Sequence, residues 1–238
     1  MHVRARHRWL LATALTSILS ITGCSSGSSP DGTGPSAAPT VAPSASELIS
    51  RSATAMTAVS SAHFSLAVTG TLPDLVVQTG DGDLTSTGSA QGTASIRQFG
   101  QLVEVEFVVV DTALYLKAGT GGFTEVPAAL AGQVYDPTAI LDPERGVAAV
   151  LTSTTGLSAV TEADGSYTVS GTVPEKVAAS LTPGITTDVA GTFVVDAASS
   201  RTSSVSFSTT GSDGQPATVT LQLGDFDKDL AITAPAVS

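Results

Sequence analysis

One cysteine, three histidines and 21 carboxylates are the side chains of this 238-residue chain from which ligand or acid–base chemistry could be built. Metal sites need such residues clustered at ligand spacing. His2 and His7 sit in the first ten residues, and His63 stands by itself in sequence at the start of a strand-like run. "GDFDKDL" spaces Asp225, Asp227 and Asp229 at intervals of two, which predicts one face of a strand, and "GDGDL" offers Asp81 and Asp83. Neither has a twelve-residue calcium loop with its terminal Glu, so both read as solvated charges that protect sheet edges. No G-x-S-x-G elbow occurs between a strand-like and a helical run, the one match, Gly23 to Gly27, lying in the Ser/Gly-rich stretch around Cys24, and His63 is the one base left for a Ser-His-Asp triad. Glu104 and Glu106 share a strand face opposite the apolar residues, which argues against a buried acid–base pair. Gly121-Gly122 does not match a phosphate loop. The inventory predicts no enzyme, no metal and no cofactor.

The remaining candidate is Cys24, the sole cysteine, which therefore has no intramolecular disulfide partner. Before it, Arg4, Arg6 and Arg8 precede an apolar stretch from Leu10 to Ile21, the layout of a secretory signal and too short to span a bilayer comfortably. Ile21-Thr22-Gly23-Cys24 resembles the bacterial lipobox, and that resemblance implies diacylglyceryl transfer to the Cys24 sulfur and cleavage before it. Residues 1–23 are thus expected to be a signal peptide. Its removal takes three of the ten Lys and Arg, leaving seven cations against 21 acids, a formal charge of −14. So acidic a chain should repel nucleic acid and anionic headgroups, so attachment to the plasma membrane, on its extracytoplasmic face, falls to the acyl anchor.

The elements that follow are legible from pattern. Residues 24–45 are rich in Ser, Gly, Pro and Ala and form a tether with a root-mean-square reach of roughly 25 Å. Residues 46–60 carry apolar side chains at helical spacing behind Ser44 or Ser46 as cap. From His63 the period becomes two, with strands expected in "DLVVQTGDGDLTS", "GTASIRQFG", "LVEVEFVVVD", "ALYLKAG", "SYTVSGTV", "GTFVVDA", "TSSVSFSTTG" and "ATVTLQLGDF". Asp136-Pro137 and Asp142-Pro143 are helix-start signals, predicting a helix from about Pro143 to Ser153, and "PEKVAASL" predicts a second. One apolar face per strand calls for a covering layer, so the expected domain, residues 46–238, is α+β: helices against one curved antiparallel sheet.

"SAHFSLAVTGTLPDL", "GDLTSTG", "VEFVVVDTALYL", "YDPTAILDPERGVAAVL", "TVSGTV" and "APAVS", in that order, resemble the mycobacterial LppX/LprAFG lipoproteins, most closely the LprG and LprA members. The resemblance implies a half-barrel, a strongly bent sheet with helices on its concave face around an apolar cavity. It also implies a cargo of multiply acylated lipid or glycolipid carried from the plasma membrane toward the outer envelope, with a membrane lipid exporter as a candidate partner. The expected lining is Leu66, Val68, Ala94, Ile96, Val105, Phe107, Val109, Leu114, Leu116, Val147, Val150, Leu151 and Val169. For each, plain core packing is the competing reading, and an envelope scaffold with no internal ligand is the competing function. Small side chains at Gly92 and Ala94 are what space for a ligand would require.

Overall fold

Period-two alternation dominates the chain from Ser61 onward, and in the computed structural model it becomes a single open sheet of eleven strands. In chain order these are β1 (Ser61–Thr69), β2 (Val77–Thr85), β3 (Ala90–Gln98), β4 (Gln101–Val110), β5 (Ala113–Ala118), β6 (Thr124–Val126), β7 (Thr155–Thr161), β8 (Ser166–Val173), β9 (Val189–Asp196), β10 (Thr202–Thr210) and β11 (Pro216–Gly224). The spatial order is β6-β5-β4-β3-β2-β1-β11-β10-β9-β8-β7. Two antiparallel meanders therefore meet where β1 pairs with β11, and β6 and β7 form the unjoined edges. The structure describes residues 43–73, 75–127, 135–161 and 164–238, within a unit spanning Ala42–Ser238. The expected signal peptide, Cys24 and most of the tether lie outside the described residues.

The helical layer arises from the segments between meanders and from the N-terminal helix. Helix α1 (Ala45–Thr57) opens on a capping box: the Glu47 N–H donates to Ser44 Oγ at 3.3 Å, and the Ser44 N–H to the Glu47 carboxylate at 2.9 Å. Ser44, one of the two expected caps, is the one used. A 3-10 turn (Pro137–Leu141) and helix α2 (Val147–Ser153) lie between β6 and β7, and helix α3 (Glu175–Leu181) lies between β8 and β9. Leu48, Ile49 and Met56 of α1, Val147, Val150 and Leu151 of α2, and Leu181 of α3 join one core with Phe64, Phe193, Val205 and Phe207 of the sheet. The Ser52 hydroxyl inside that core is 2.7 Å from Thr202 Oγ1, which ties α1 to β10 with no unpaired polar atom.

Two expectations are corrected and two strands are added. The helix expected from Pro143 begins at Val147, because the Asp142 carboxylate accepts the N–H groups of Glu144 and Arg145 in a turn instead of launching a helix. Gly146 follows with a backbone so crowded by the carbonyls of Ala139, Ile140 and Asp142 that a side chain would not fit. The Asp225–Asp229 run is not a strand: β11 stops at Gly224, and Asp225 and Asp227 both take positive φ. β6 and β7 were not expected at all, since "TEV" is very short and "TGLSAVT" holds too few apolar residues to show alternation.

A rung of the first meander explains how the sheet bends. Phe64, Gly82, Gly92 and Phe107 are register partners across β1, β2, β3 and β4. Strands are about 4.8 Å apart, so the two phenylalanines start roughly 14 Å from each other. Their ring centroids nevertheless lie 6.4 Å apart, because neither glycine interposes a side chain. The strands also approach closely there: a Cβ on Gly92 would strike the Asp81 carbonyl oxygen, and one on Gly82 that of Gln91. Gly92→Ala should therefore destabilise the fold by about 1–3 kcal/mol, the usual cost of overpacking, read as a lower urea midpoint with an unchanged slope. A midpoint equal to that of the parent would refute this account of the bend.

Candidate functional site

The neighbouring rung builds the candidate site. Leu66, Gly80, Ala94, Val105 and Ala118 are partners across β1 to β5, so the middle of the row presents only a hydrogen and a methyl group. Taller side chains flank that low floor: Phe64, Phe107 and Leu116 on one side, Val77 and Ile96 on the other, with Leu114 beyond. The result is an apolar pocket of about 80 Å³ against the first meander. Its size is well below the ~300–1,000 Å³ typical of ligand pockets, so the roomy hollow expected from sequence is a narrow slot in this conformation.

The roof comes from the "YDPTAILDPER" segment. Asp136 caps the 3-10 turn by accepting from the Thr138 N–H at 3.0 Å and from the Thr138 hydroxyl at 2.6 Å, with Pro137 as first residue. Arg145 links the two Asp-Pro steps, its Nε donating to Asp142 at 3.0 Å and its Nη2 lying 3.9 Å from Asp136. Burial opposes the charge on Asp142, but hydrogen bonds from Glu144 and Arg145 outweigh it and hold the carboxyl below its ordinary value. This frame places Pro137 and Tyr135 over the slot, and Tyr135 is its single polar lining side chain. Desolvation, with the Asp136 charge second, pushes the phenol far up, so it stays neutral. Tyr135 also lines a second apolar gap, of about 10 Å³, bounded by Leu66, Leu181, Phe207 and Leu221.

Of the residues singled out by sequence, Ala94, Ile96, Val105, Phe107, Leu114 and Leu116 come together on the slot wall. Leu66 lines the second gap, while Val68 and Val109 pack half-buried at the margin of the core. Val147, Val150, Leu151 and Val169 are close-packed core and do not line the slot. Sequence reasoning missed Phe64, Val76, Val77, Gly80, Tyr135 and Pro137. Gly80 carried a usable signal, a glycine inside a strand pattern; the placement of Tyr135 depends on a distant turn.

His63, isolated in sequence, is not isolated in the fold. It lies on the opposite face of β1, where β2 brings Asp83 to 2.9 Å from Nδ1 and Asp81 to 3.4 Å from Nε2. These carboxylates belong to the sheet interior and not to an edge, which corrects the edge-protection reading. Both ring nitrogens thus face carboxylates, an ion-pair arrangement and not a base aimed at a hydroxyl nucleophile. Asp227, with its backbone held at positive φ, accepts from the Ser60 N–H at 2.9 Å and pairs with Arg201, fastening the segment after β11 to β1 and β10. Among the described residues no group of three or more His, Cys, Asp or Glu is placed to hold a metal ion, and no helix is long and apolar enough to cross a membrane.

An open eleven-stranded antiparallel sheet with short helices packed on its apolar face defines the fold class. The sequence profile of the LppX_LprAFG lipoproteins matches residues 44–232, and the chain belongs to that family. It is 34% identical over 176 residues to the lipoarabinomannan carrier protein LprG of Mycobacterium tuberculosis H37Rv, covering 72% of this chain and 69% of the relative. Against the protein of the same name from Mycolicibacterium smegmatis it is 30% identical over 236 residues, 95% of each chain. Among solved structures, LprF from Mycobacterium bovis superposes with a TM-score of 0.69 at 22% identity, over 81% of this chain and 97% of that one. Mycobacterium tuberculosis LppX does so with a TM-score of 0.58 at 16% identity, over 79% and 97%. Both share the fold.

The His63 pair yields a pH dependence. The hydrogen bond to Asp83, partly opposed by desolvation and supported by the Asp81 charge, raises the imidazole pKa above its ordinary value. Its stabilisation is therefore full below the unfolded pKa of about 6.5 and fades as pH rises through the higher folded value. The side chain is 38% exposed, so solvent screening keeps the effect within about 1 kcal/mol. Relative to His63→Gln, the parent should be more stable at pH ~5.5 and lose that advantage as pH rises through the raised folded value. Parallel Tm-against-pH curves for the two proteins would contradict it.

Proposed function

We propose that this protein is a non-enzymatic, membrane-tethered carrier that holds the acyl chains of a multiply acylated lipid or glycolipid on the β2–β5 face. Its role is to move that lipid from the plasma membrane toward the outer envelope. The observation that carries this reading is the slot itself: a low floor at Gly80 and Ala94 with purely aliphatic and aromatic walls and one neutral phenol. The relatives named lipoarabinomannan carriers support a glycolipid as the cargo class. Burying one sixteen-carbon chain is worth on the order of 12 kcal/mol at ~0.8 kcal/mol per methylene, enough to widen a closed slot. Because Tyr135 lines both apolar gaps, displacement of its ring is the motion that would join them along the sheet. Acyl chains do not cross water unaided, so loading and unloading take place with the mouth against a membrane or a partner. Acylation at Cys24 keeps the domain on the extracytoplasmic face, within reach of the tether.

A second reading, an envelope scaffold without internal ligand, is favoured by the small volume of the slot. Mass spectrometry of organic extracts from protein made in an actinobacterial host separates the two: the carrier reading expects bound acylated lipid, and lipid-free protein selects the scaffold. Ala94→Trp fills the floor of the slot and should abolish that lipid while circular dichroism and Tm stay near parental values; full loading in this variant would exclude the slot as the site. Cys24→Ser should lose fatty-acid labelling and shift the protein from the membrane to the soluble fraction, and persistent labelling would place the anchor elsewhere.

A further inference from the structure

The β3–β4 hairpin ends in a two-residue turn, Phe99-Gly100, both at positive φ (50° and 79°), between the register partners Gln98 and Gln101. That turn geometry favours Asn-Gly or Asp-Gly and is costly for a bulky side chain. The far end of β4 shows the same chain meeting the same demand with polar residues: Asp111-Thr112, at φ 51° and 70°, joins Val110 to Ala113. At Phe99 the backbone instead holds an aromatic ring 99% exposed, with nothing in the fold to cover it.

The position of that ring is as informative as its exposure. Leu102, 63% exposed, is the register partner of Arg97, and the Arg97 N–H donates to the Val76 carbonyl at 2.7 Å. Val76 in turn lines the apolar slot, as does Ile96. Leu102 shares the outer face of β4 with Glu104 and Glu106, so the hairpin shows apolar surface there, while Ile96, three residues before Phe99, lines the slot on the inner face. Charge follows the same logic: the chain carries 21 acids against ten Lys and Arg, yet from Ile96 to Val103 there is no acid and one cation, Arg97, whose Nη2 donates to Gln78 Oε1 at 2.9 Å. An aromatic tip, an aliphatic neighbour and a single guanidinium beside a slot mouth match the headgroup–acyl boundary of a bilayer, where such rings and cations settle.

We propose that the Phe99 hairpin inserts into the bilayer surface and seats the slot mouth on it. The slot reading supplies only what passes at that rim, and the insertion is tested separately. In full-length chain carrying Trp9→Phe, so that no other indole is present, Phe99→Trp is compared with Val160→Trp, another strongly exposed position (65%) on β7 at the opposite edge of the sheet. On vesicles of phosphatidylcholine brominated in its acyl chains, the indole emission of the Phe99→Trp chain is expected to shift to the blue and be quenched, and that of the Val160→Trp chain to do neither. Equal quenching in both chains, or in neither, overturns the proposal. A blue shift of the Phe99→Trp chain that grows with protein concentration in the absence of vesicles overturns it in favour of a second copy of this chain covering the tip. Phe99→Asp should slow lipid transfer between vesicles without lowering the lipid found in extracts, and an unchanged transfer rate also counts against insertion. Combining Phe99→Trp with Ala94→Phe, which fills the slot floor without adding a second indole, distinguishes the two readings, since quenching without bound lipid leaves the hairpin in the membrane whatever the slot holds.

Discussion

The structure depends on a scarcity of side-chain volume at the centre of the first meander. Gly80, Gly82, Gly92 and Ala94 occupy neighbouring positions on β2 and β3, and this is what lets Phe64 and Phe107 lean together across two intervening strands. Leaving the next row low follows from the same residues. Sheet curvature, the aromatic bridge and the slot thus share one physical origin. Close packing would ordinarily punish so little volume, since every missing methyl forfeits dispersion contacts. Here the deficit is confined to one end of the apolar face and is bounded by well-packed rows.

The two halves of the domain divide the work. Around β8 to β11 the inner face is filled: Phe193, Val169 and Val205 pack with α1 and α2 at almost zero exposure, and a buried Ser52–Thr202 hydrogen bond fixes their register. Around β2 to β5 the roof is a short 3-10 turn tied by Asp136, Asp142 and Arg145, and it leaves space beneath. One half of the sheet is close-packed under the helices and the other is loosely roofed over the slot. Polar chemistry is kept off the apolar face altogether. The His63–Asp81–Asp83 cluster projects from the other side of the sheet, where it stabilises strand pairing and touches nothing in the slot.

How much of this could be read from the chain varied with the range of the interactions. Strands with strict alternation, such as Phe64-Leu66-Val68 or Val105-Phe107-Val109, declare both their existence and their inner face, because period two is a local property. The second Asp-Pro step illustrates the limit. Its sequence is that of a helix start, but whether the Asp142 carboxylate caps a helix or a turn depends on Gly146 packing against the carbonyls of the preceding 3-10 turn. The Asp225–Asp229 run likewise alternates as a strand would, and loses that form because Ser60 and Arg201, distant in sequence, claim Asp227.

The sequence by itself determined the fold class, the inner faces of the long strands, the cap at Asp136 and the acidic balance of the chain. All of these rest on residue type and short spacing. Tertiary structure decided which aliphatic residues bound space and which fill it. Val105 and Val150 are chemically the same side chain; one lines the slot and the other is sealed in the core, because the rows opposite them differ in height. It also decided that the Phe99-Gly100 turn, costly for so bulky a side chain, follows directly on a strand that lines the slot. Proximity across strands far apart in the chain is a property of register, and no single segment contains it.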